Sequence, residues 1–526
     1  MSTTSPDFHF TILSQLLQIV TSNAVGRTEF SLRIDPEDPA AGSMQEQLLA
    51  GVLDGTIRSD EEAALKLYSA GPSDQRYMTL RSRCIDRLLN EVRHIDLTYN
   101  QLSEYSTNVL RCIDLLRSGY LLSFYGSSDV ATYAMKRALS ISQKYDLTAF
   151  ELITRRELAS SAVLTLDVQI NKSHNDVIKR LIRRFHLEQV AIQSHESLLL
   201  LDTDYQYEEL RSDEPRPANL SEMLDFLDSV DSECSSYTFI LNRFRYRFDY
   251  YMAALDFHSA SNVVSDALSY FKEHSHLVSI SRLGEFNVLQ LELQIKTRSE
   301  LDRSNIINPA HYFTTGNINW CVSNTLTAYK HLYHNHYPEA IGIYRELKSK
   351  QTNTHVGGGA YEHRMLLEAY LWILTKILPA SEFGHPDPSS LFSFRESTFL
   401  NSMSLLTEHK KGTNALVVIA HAFILLIQNK EREAFRRISY LNVYATRYFK
   451  GETEQRLWHC VKAMQKIPTF RARPHMMRDA MAPAIDRIRR LSDLPMKHGF
   501  NELVQWDVLL EAYIAWEIER VSRQRQ

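Results

Sequence analysis

The stretch WCVSNTLTAYKHLYHNHYPEAIGIYRELKSK, residues 320–350, decides the fold class. Val322, Leu326, Tyr329 and Tyr333 recur at intervals of three and four, which aligns them on one face of a 3.6-residue helix. Asn335 and His336 break that pattern. Pro338 then stands where a second helix takes its first turn, a position whose N–H has no intrahelical partner to lose. Ala340, Ile341, Tyr344 and Leu347 form the second stripe. Two amphipathic helices joined by a two- to three-residue turn make an αα-hairpin, and such a hairpin covers its remaining apolar face only by stacking on neighbours.

Working outward, the same period recurs. Leu80, Cys84, Leu88, Val92 and Ile95 predict one helical stripe, and Val109, Ile113, Leu116 and Tyr120 predict another. Ala131, Ala134, Ala138 and Ile141 form a face of mostly small residues that lets a second helix approach closely. Ala434, Ile438, Leu441, Ala445 and Tyr448 follow 4-3-4-3 spacing. The longest apolar run, Ala415–Ile427, spans thirteen residues interrupted by His421; a membrane span needs about 20, so a core helix is expected. With only 17 Gly and 15 Pro in 526 residues, the chain lacks the turn residues that many short strands require. The expected fold is all-α, an α-solenoid of stacked antiparallel helix pairs.

A chain of 526 residues exceeds what one compact core supports. Residues 202–219 carry Pro215 and Pro217, are acidic and lack an apolar stripe, so they predict an exposed loop. The expected organisation is an N-terminal helical region over 1–98, a central array over 99–312 interrupted by that loop, and a C-terminal array over 313–526.

The segment HYPEAIGIYRELKSK (336–350) resembles the second helix of a tetratricopeptide repeat, with Ala340 and Tyr344 at its small and aromatic packing positions and Ala328 at the small position of the first helix. The Trp, Leu and Tyr of the repeat's first helix are absent from their offsets, and no strict 34-residue period runs through the chain. FRESTFLNS (394–402), HKKGTNALVVIAHAFILL (409–426), RISYLNVYATRYFK (437–450), LVQWDVLLEAYI (503–514) and the segment 60–90 resemble a family of helical-repeat proteins of Bacteroidetes-type bacteria with no assigned activity. That resemblance implies a helical fold in a bacterial cytoplasmic setting and brings no chemistry with it.

A formal net charge of −4 argues against a strongly basic nucleic-acid binder, yet the charge is uneven. Residues 202–233 hold eleven Asp/Glu against two Arg, and residues 430–497 hold sixteen Lys/Arg against seven Asp/Glu. The five cysteines (Cys84, Cys112, Cys234, Cys321 and Cys460) are dispersed without ligand spacing, which reads as reduced, buried thiols. The first twenty residues lack a basic stretch ahead of a cleavage site, so a cytoplasmic location is expected.

Candidate sites are few. His331, His334 and His336 sit close enough to share a metal, but no carboxylate or cysteine at ligand spacing completes a set, and no metal is expected. Gly357–Gly359 precede a helix as phosphate loops do, without the Lys-Ser/Thr that such a loop ends on. In NRFRYRFDYY (242–251), Arg243 and Arg247 lie on one helix face opposite Phe244, Phe248 and Tyr251. Basic residues interleaved with rings suit phosphates and bases, and equally suit guanidinium groups lying on core-facing rings or pairing with the preceding acidic segment. Arg436, Arg437, Arg471, Arg473, Arg487, Arg489 and Arg490 make the C-terminal half basic. No nucleophile elbow, kinase or dinucleotide motif appears. The expectation is a non-enzymatic scaffold without cofactor that binds a protein or peptide, with Arg243, Arg247, Tyr329, Tyr333, Arg436 and Arg437 as anchors. Nucleic-acid binding by the basic half is the alternative, followed by a hydrolase or transferase with a site between helices.

Overall fold

The computed structural model describes residues 8–23, 43–92, 95, 103–208, 219–299, 308–350, 358–385, 387–403, 413–448, 454–496 and 502–525. Among these the regular structure is entirely helical, with helices packed in consecutive pairs, as an all-α helical-repeat solenoid requires. The chain forms two compact units, Met1–Thr107 and Asn108–Gln526.

In the first unit, α1 (Phe8–Asn23), α2 (Met44–Leu53), α3 (Asp60–Tyr68) and α4 (Gln75–Val92) enclose one core. The stripe expected on α4 is buried at Leu80, Cys84 and Leu88. Ser43 accepts from the Glu46 N–H while the Glu46 carboxylate accepts from Ser43 N–H at 2.7 Å, a reciprocal cap that satisfies two otherwise orphaned donors of α2. Asp60 is buried at the start of α3, where Arg81 pairs with it at 2.7 Å and the Tyr77 hydroxyl donates to it.

The second unit begins within α5 (Glu104–Phe124) and continues with α6 (Ser128–Lys144), α7 (Thr148–Leu164) and α8 (Val168–Glu208). Ala131, Ala134 and Ala138 are buried on α6 as expected. The stripe expected on α5 is corrected. Its buried ridge is Cys112, Leu116 and Gly119, whereas Ile113 and Tyr120 face solvent. Packing explains the rotation. A Cβ at Gly119 would lie 2.6 Å from Met135 Cε, and Cys112 Sγ lies 3.6 Å from Ala138 O, so Cys112, Leu116 and Gly119 are the residues that face α6. Helix α8 also continues through residues 202–208, which an exposed loop had been expected to occupy; residues 209–218 lie outside the described residues.

Next come α9 (Asn219–Ser229), α10 (Tyr237–Ala253), α11 (Phe257–Glu273) and α12 (Ile280–Lys296), with α10 packed on α8 and α11. Gly284 is buried on α12 where a Cβ would fall 2.6 Å from Tyr312 Cβ, so the 3-10 turn Pro309–Tyr312 lies directly on the helix backbone. The αα-hairpin read from residues 320–350 is α13 (Ile318–Tyr333) and α14 (Tyr337–Lys350), with Ala340, Ile341, Tyr344 and Leu347 buried.

A single core continues through α15 (Gly358–Ile377), α16 (Glu396–Asn401), α17 (Thr413–Ile427), α18 (Glu431–Tyr448), α19 (Gln455–Met464), α20 (Ile467–Phe470), α21 (Pro474–Arg490) and α22 (Trp506–Arg525). The run Ala415–Leu426 is buried on every side, which is why it reads as unbroken apolar sequence. Among the described residues no helix is long and apolar enough to cross a membrane. The chain following α21 returns to α12 and α13: Met496 N–H donates to Lys296 O at 2.7 Å, and Gln505 Nε2 donates to Tyr333 O at 3.0 Å.

One local device repeats where the sequence does not. Gly126, Asp146, Leu166, Leu255, Arg298, Asn335 and Asn429 all have positive φ at helix ends. In each case the next N–H donates to a carbonyl five residues back, as in Ser127 to Leu122, Leu147 to Ser142 and Asp167 to Ala162. This is the Schellman geometry, which turns the chain within three residues. The first three of these turns fall at 126, 146 and 166, a spacing set by the 17-residue lengths of α6 and α7.

Candidate interaction surface

The residues expected to anchor a partner part company in the structure. Tyr329 and Tyr333 are core side chains; the Tyr329 hydroxyl donates to His363 O at 2.8 Å. They lie on α13, a helix buried almost all round, so the stripe that identified the hairpin also removes them from the surface. Arg243 is largely buried and pairs with Asp231, and the half-buried Arg247 has its Nε sealed from solvent. The pairing of the arginine-aromatic stretch with the acidic segment before it is therefore realised at Arg243. Between them Arg245 makes two 2.7 Å bonds to Glu285. Burial would push the Glu285 carboxyl up, but Arg245 and Arg282 hold it below its ordinary value.

Arg436 and Arg437 do face solvent on α18, beside exposed Tyr440. The rest of the basic region divides. Arg473, Arg487 and Arg490 are exposed, Arg489 pairs with Glu511 and Asp507, and Arg471 is buried against Glu517 at 2.8 Å. A continuous basic groove is thus reduced to separate patches.

His331 and His336 approach with their Nδ1 atoms 3.4 Å apart. Among the described residues no three His, Cys, Asp or Glu side chains are arranged to hold a metal ion. Gly358 and Gly359 lie in the first turn of α15, while Gly357 is outside the described residues. All five cysteines are free and buried, and burial raises the thiols of Cys84 and Cys112 to about 11.

Two buried polar groupings have no counterpart in the sequence reading. Glu502 accepts from Arg298 at 2.7 Å and from Arg456 at 2.6 Å, with Asp507 beside Arg456 at 3.6 Å. Lys330 is 1% exposed and donates to Gln294 Oε1 at 2.8 Å. Burial lowers its ammonium to about 7. A depressed lysine suits amine chemistry only where substrate can reach it. Lys330 is sealed in, and its amine has a structural acceptor. The available signal was its isolation: it is the one Lys, Arg, Asp or Glu in the sixteen residues of α13.

The surface that stands out is apolar. At the α5/α6 turn Phe124 and Tyr125 are 86% and 78% exposed; at the α7/α8 turn Leu164, Leu166 and Val168 are 82%, 85% and 76% exposed. Both turns lie at the same end of the antiparallel helices. Thr132 and Ser161 hydroxyls meet at 3.3 Å, and Tyr120 OH donates to Glu157 at 3.1 Å, which sets the two tips side by side. Val130, Tyr133, Val163 and Ile170 extend the crest down the helices. Single exposed leucines are ordinary, whereas a contiguous group of this kind marks a contact surface. Leu166 carries the sharpest signal. It holds φ 57°, a left-handed conformation that glycine or asparagine adopts at less cost, and it uses that position to present a leucine to water. The segments SFYG and VLTLDV were legible as apolar residues where turn chemistry calls for polar ones.

Comparison with protein-family models, with curated proteins and with solved structures returned no match.

Proposed function

We propose that this chain is a non-enzymatic helical-repeat scaffold that binds a protein or peptide partner, and that the crest formed by the α5/α6 and α7/α8 turns is its docking surface. The observation that carries the reading is the crest itself, where Leu166 combines backbone strain with solvent exposure. The left-handed Schellman turn itself recurs at six other helix ends among the described residues; what sets Leu166 apart is that an apolar side chain is held 85% exposed there. The apex carries the carboxylates of Asp129 and Asp167, which disfavour an anionic bilayer and favour a protein with an apolar face. Binding energy at such a surface resides in a few large side chains, here Phe124, Tyr125 and Leu166.

Photo-crosslinking in the native cell tests this. A benzophenone side chain at position 125 or 168 should give a discrete protein adduct that the same probe at exposed Asp266 on α11 does not give, and F124S/L166S should abolish it. No position-specific adduct, or co-sedimentation with lipid vesicles in place of one, would overturn the reading. The exposed Arg436 and Arg437 beside Tyr440 favour nucleic acid as a second reading. That reading requires RNA or DNA affinity that falls steeply with salt and disappears in R436E/R437E.

A further inference from the structure

Helices α21 and α22 run antiparallel and leave between them an open groove of about 330 Å³, floored by Ile485, Ile514 and Ile518 and flanked by Ala482 and Ala515. Small residues at such a position allow another helix to approach closely. The charges around Ala482 are ordered. Arg478 lies four residues before it and Asp486 four residues after it, each about 6 Å along the helix axis at 1.5 Å per residue. The row Arg478–Ala482–Asp486 is therefore antisymmetric in charge about its midpoint. A two-fold axis through Ala482 lays Arg478 on Asp486 of an identical, antiparallel helix, and Asp486 on its Arg478, which is the self-complementarity that an isologous interface requires.

The charges are also available. Arg478 and Asp486 are both 61% exposed, and each meets its intramolecular neighbour only loosely, Asp479 at 3.9 Å and Arg489 at 4.0 Å. Arg489, by contrast, pairs closely with Glu511 and Asp507. We infer that a second copy of this chain occupies the groove, with α21 pairing antiparallel to its counterpart across Ala482, Arg478 facing the partner subunit's Asp486, and the two hairpins forming a four-helix bundle. This surface is separate from the crest, so the homodimer stands or falls independently of the scaffold reading.

Charge reversal tests the register. Sedimentation equilibrium should find the full chain dimeric at high micromolar concentration. R478D places two carboxylates against each other, and D486R two guanidinium groups, so each variant alone should dimerise at least tenfold more weakly. Mixing R478D with D486R should restore dimer, because the heterodimer recovers both attractive contacts; R478D/D486R in one chain should restore it as well. Unchanged far-ultraviolet spectra would show that the variants fold. A monomeric wild type, reversals without effect, or a mixture that fails to recover dimer would each overturn the inference.

Discussion

Arg298 and Glu502, separated by 204 residues in the chain, share a 2.7 Å ion pair in which the side chains are 5% and 0% exposed. Arg298 also donates to the Leu494 carbonyl at 2.5 Å, and its own backbone has positive φ just beyond α12. The residue that ends one helix thus ties down the chain between two others. Arg456 closes the arrangement, and although burial opposes its charge, Glu502 holds its guanidinium above the ordinary value.

Replacing Glu502 by Gln should leave two guanidinium groups buried against one neutral amide. Breaking a buried pair from one side costs on the order of 3–5 kcal/mol, because the remaining charge keeps its desolvation penalty. Urea unfolding of E502Q should show a midpoint lowered by a loss of that size. A loss below about 1 kcal/mol, the range of a surface pair, would show that water reaches the site.

Lys330 imposes a pH dependence of definite sign. Its folded pKa of about 7 lies below the ordinary 10.5. Between those values the unfolded chain holds a proton that the folded chain has released, so stability rises with pH across the window and the burial cost is full below about pH 7. The Met variant removes the titration. The stability of wild type relative to K330M should increase from pH 7 toward pH 10.5, by up to about 5 kcal/mol at 1.36 kcal/mol per pKa unit. A difference that stays flat, measured by urea unfolding at successive pH values, would place the ammonium in contact with solvent.

Leu166 predicts a trade between stability and binding. Asparagine tolerates the left-handed conformation that leucine occupies at φ 57°, so L166N should stabilise the chain by about 0.5–1 kcal/mol in thermal unfolding. The same change removes an exposed apolar side chain from the crest and should weaken partner capture. Stabilisation with undiminished capture would relocate the docking surface.

Much of this architecture was readable as sequence. The αα-hairpin at 320–350 appeared with its turn in place, because helix periodicity and proline placement are local properties. The alanine face of α6 and the apolar run of α17 were equally plain. Where a distant neighbour decides burial, periodicity alone does not reveal it. On α5 the expected stripe keeps Leu116, but α6 covers Cys112 and Gly119 beside it and leaves Ile113 and Tyr120 in solvent. Tyr329 and Tyr333, expected both in the hairpin's apolar stripe and as anchors, keep only the first role, because other helices cover the remaining faces of α13. Arg471, expected as one of the residues that make the C-terminal half basic, is instead buried 2.8 Å from Glu517.

What the sequence determined alone was the class of structure: each segment's own periodicity dictates a helix with an apolar side, and a side of that kind demands a neighbour. Tertiary packing decided which neighbour, and through it which charges were sealed together and which oily turns were left in water. Periodicity acts over a few residues through backbone geometry. Burial is settled by every helix that arrives in the same volume.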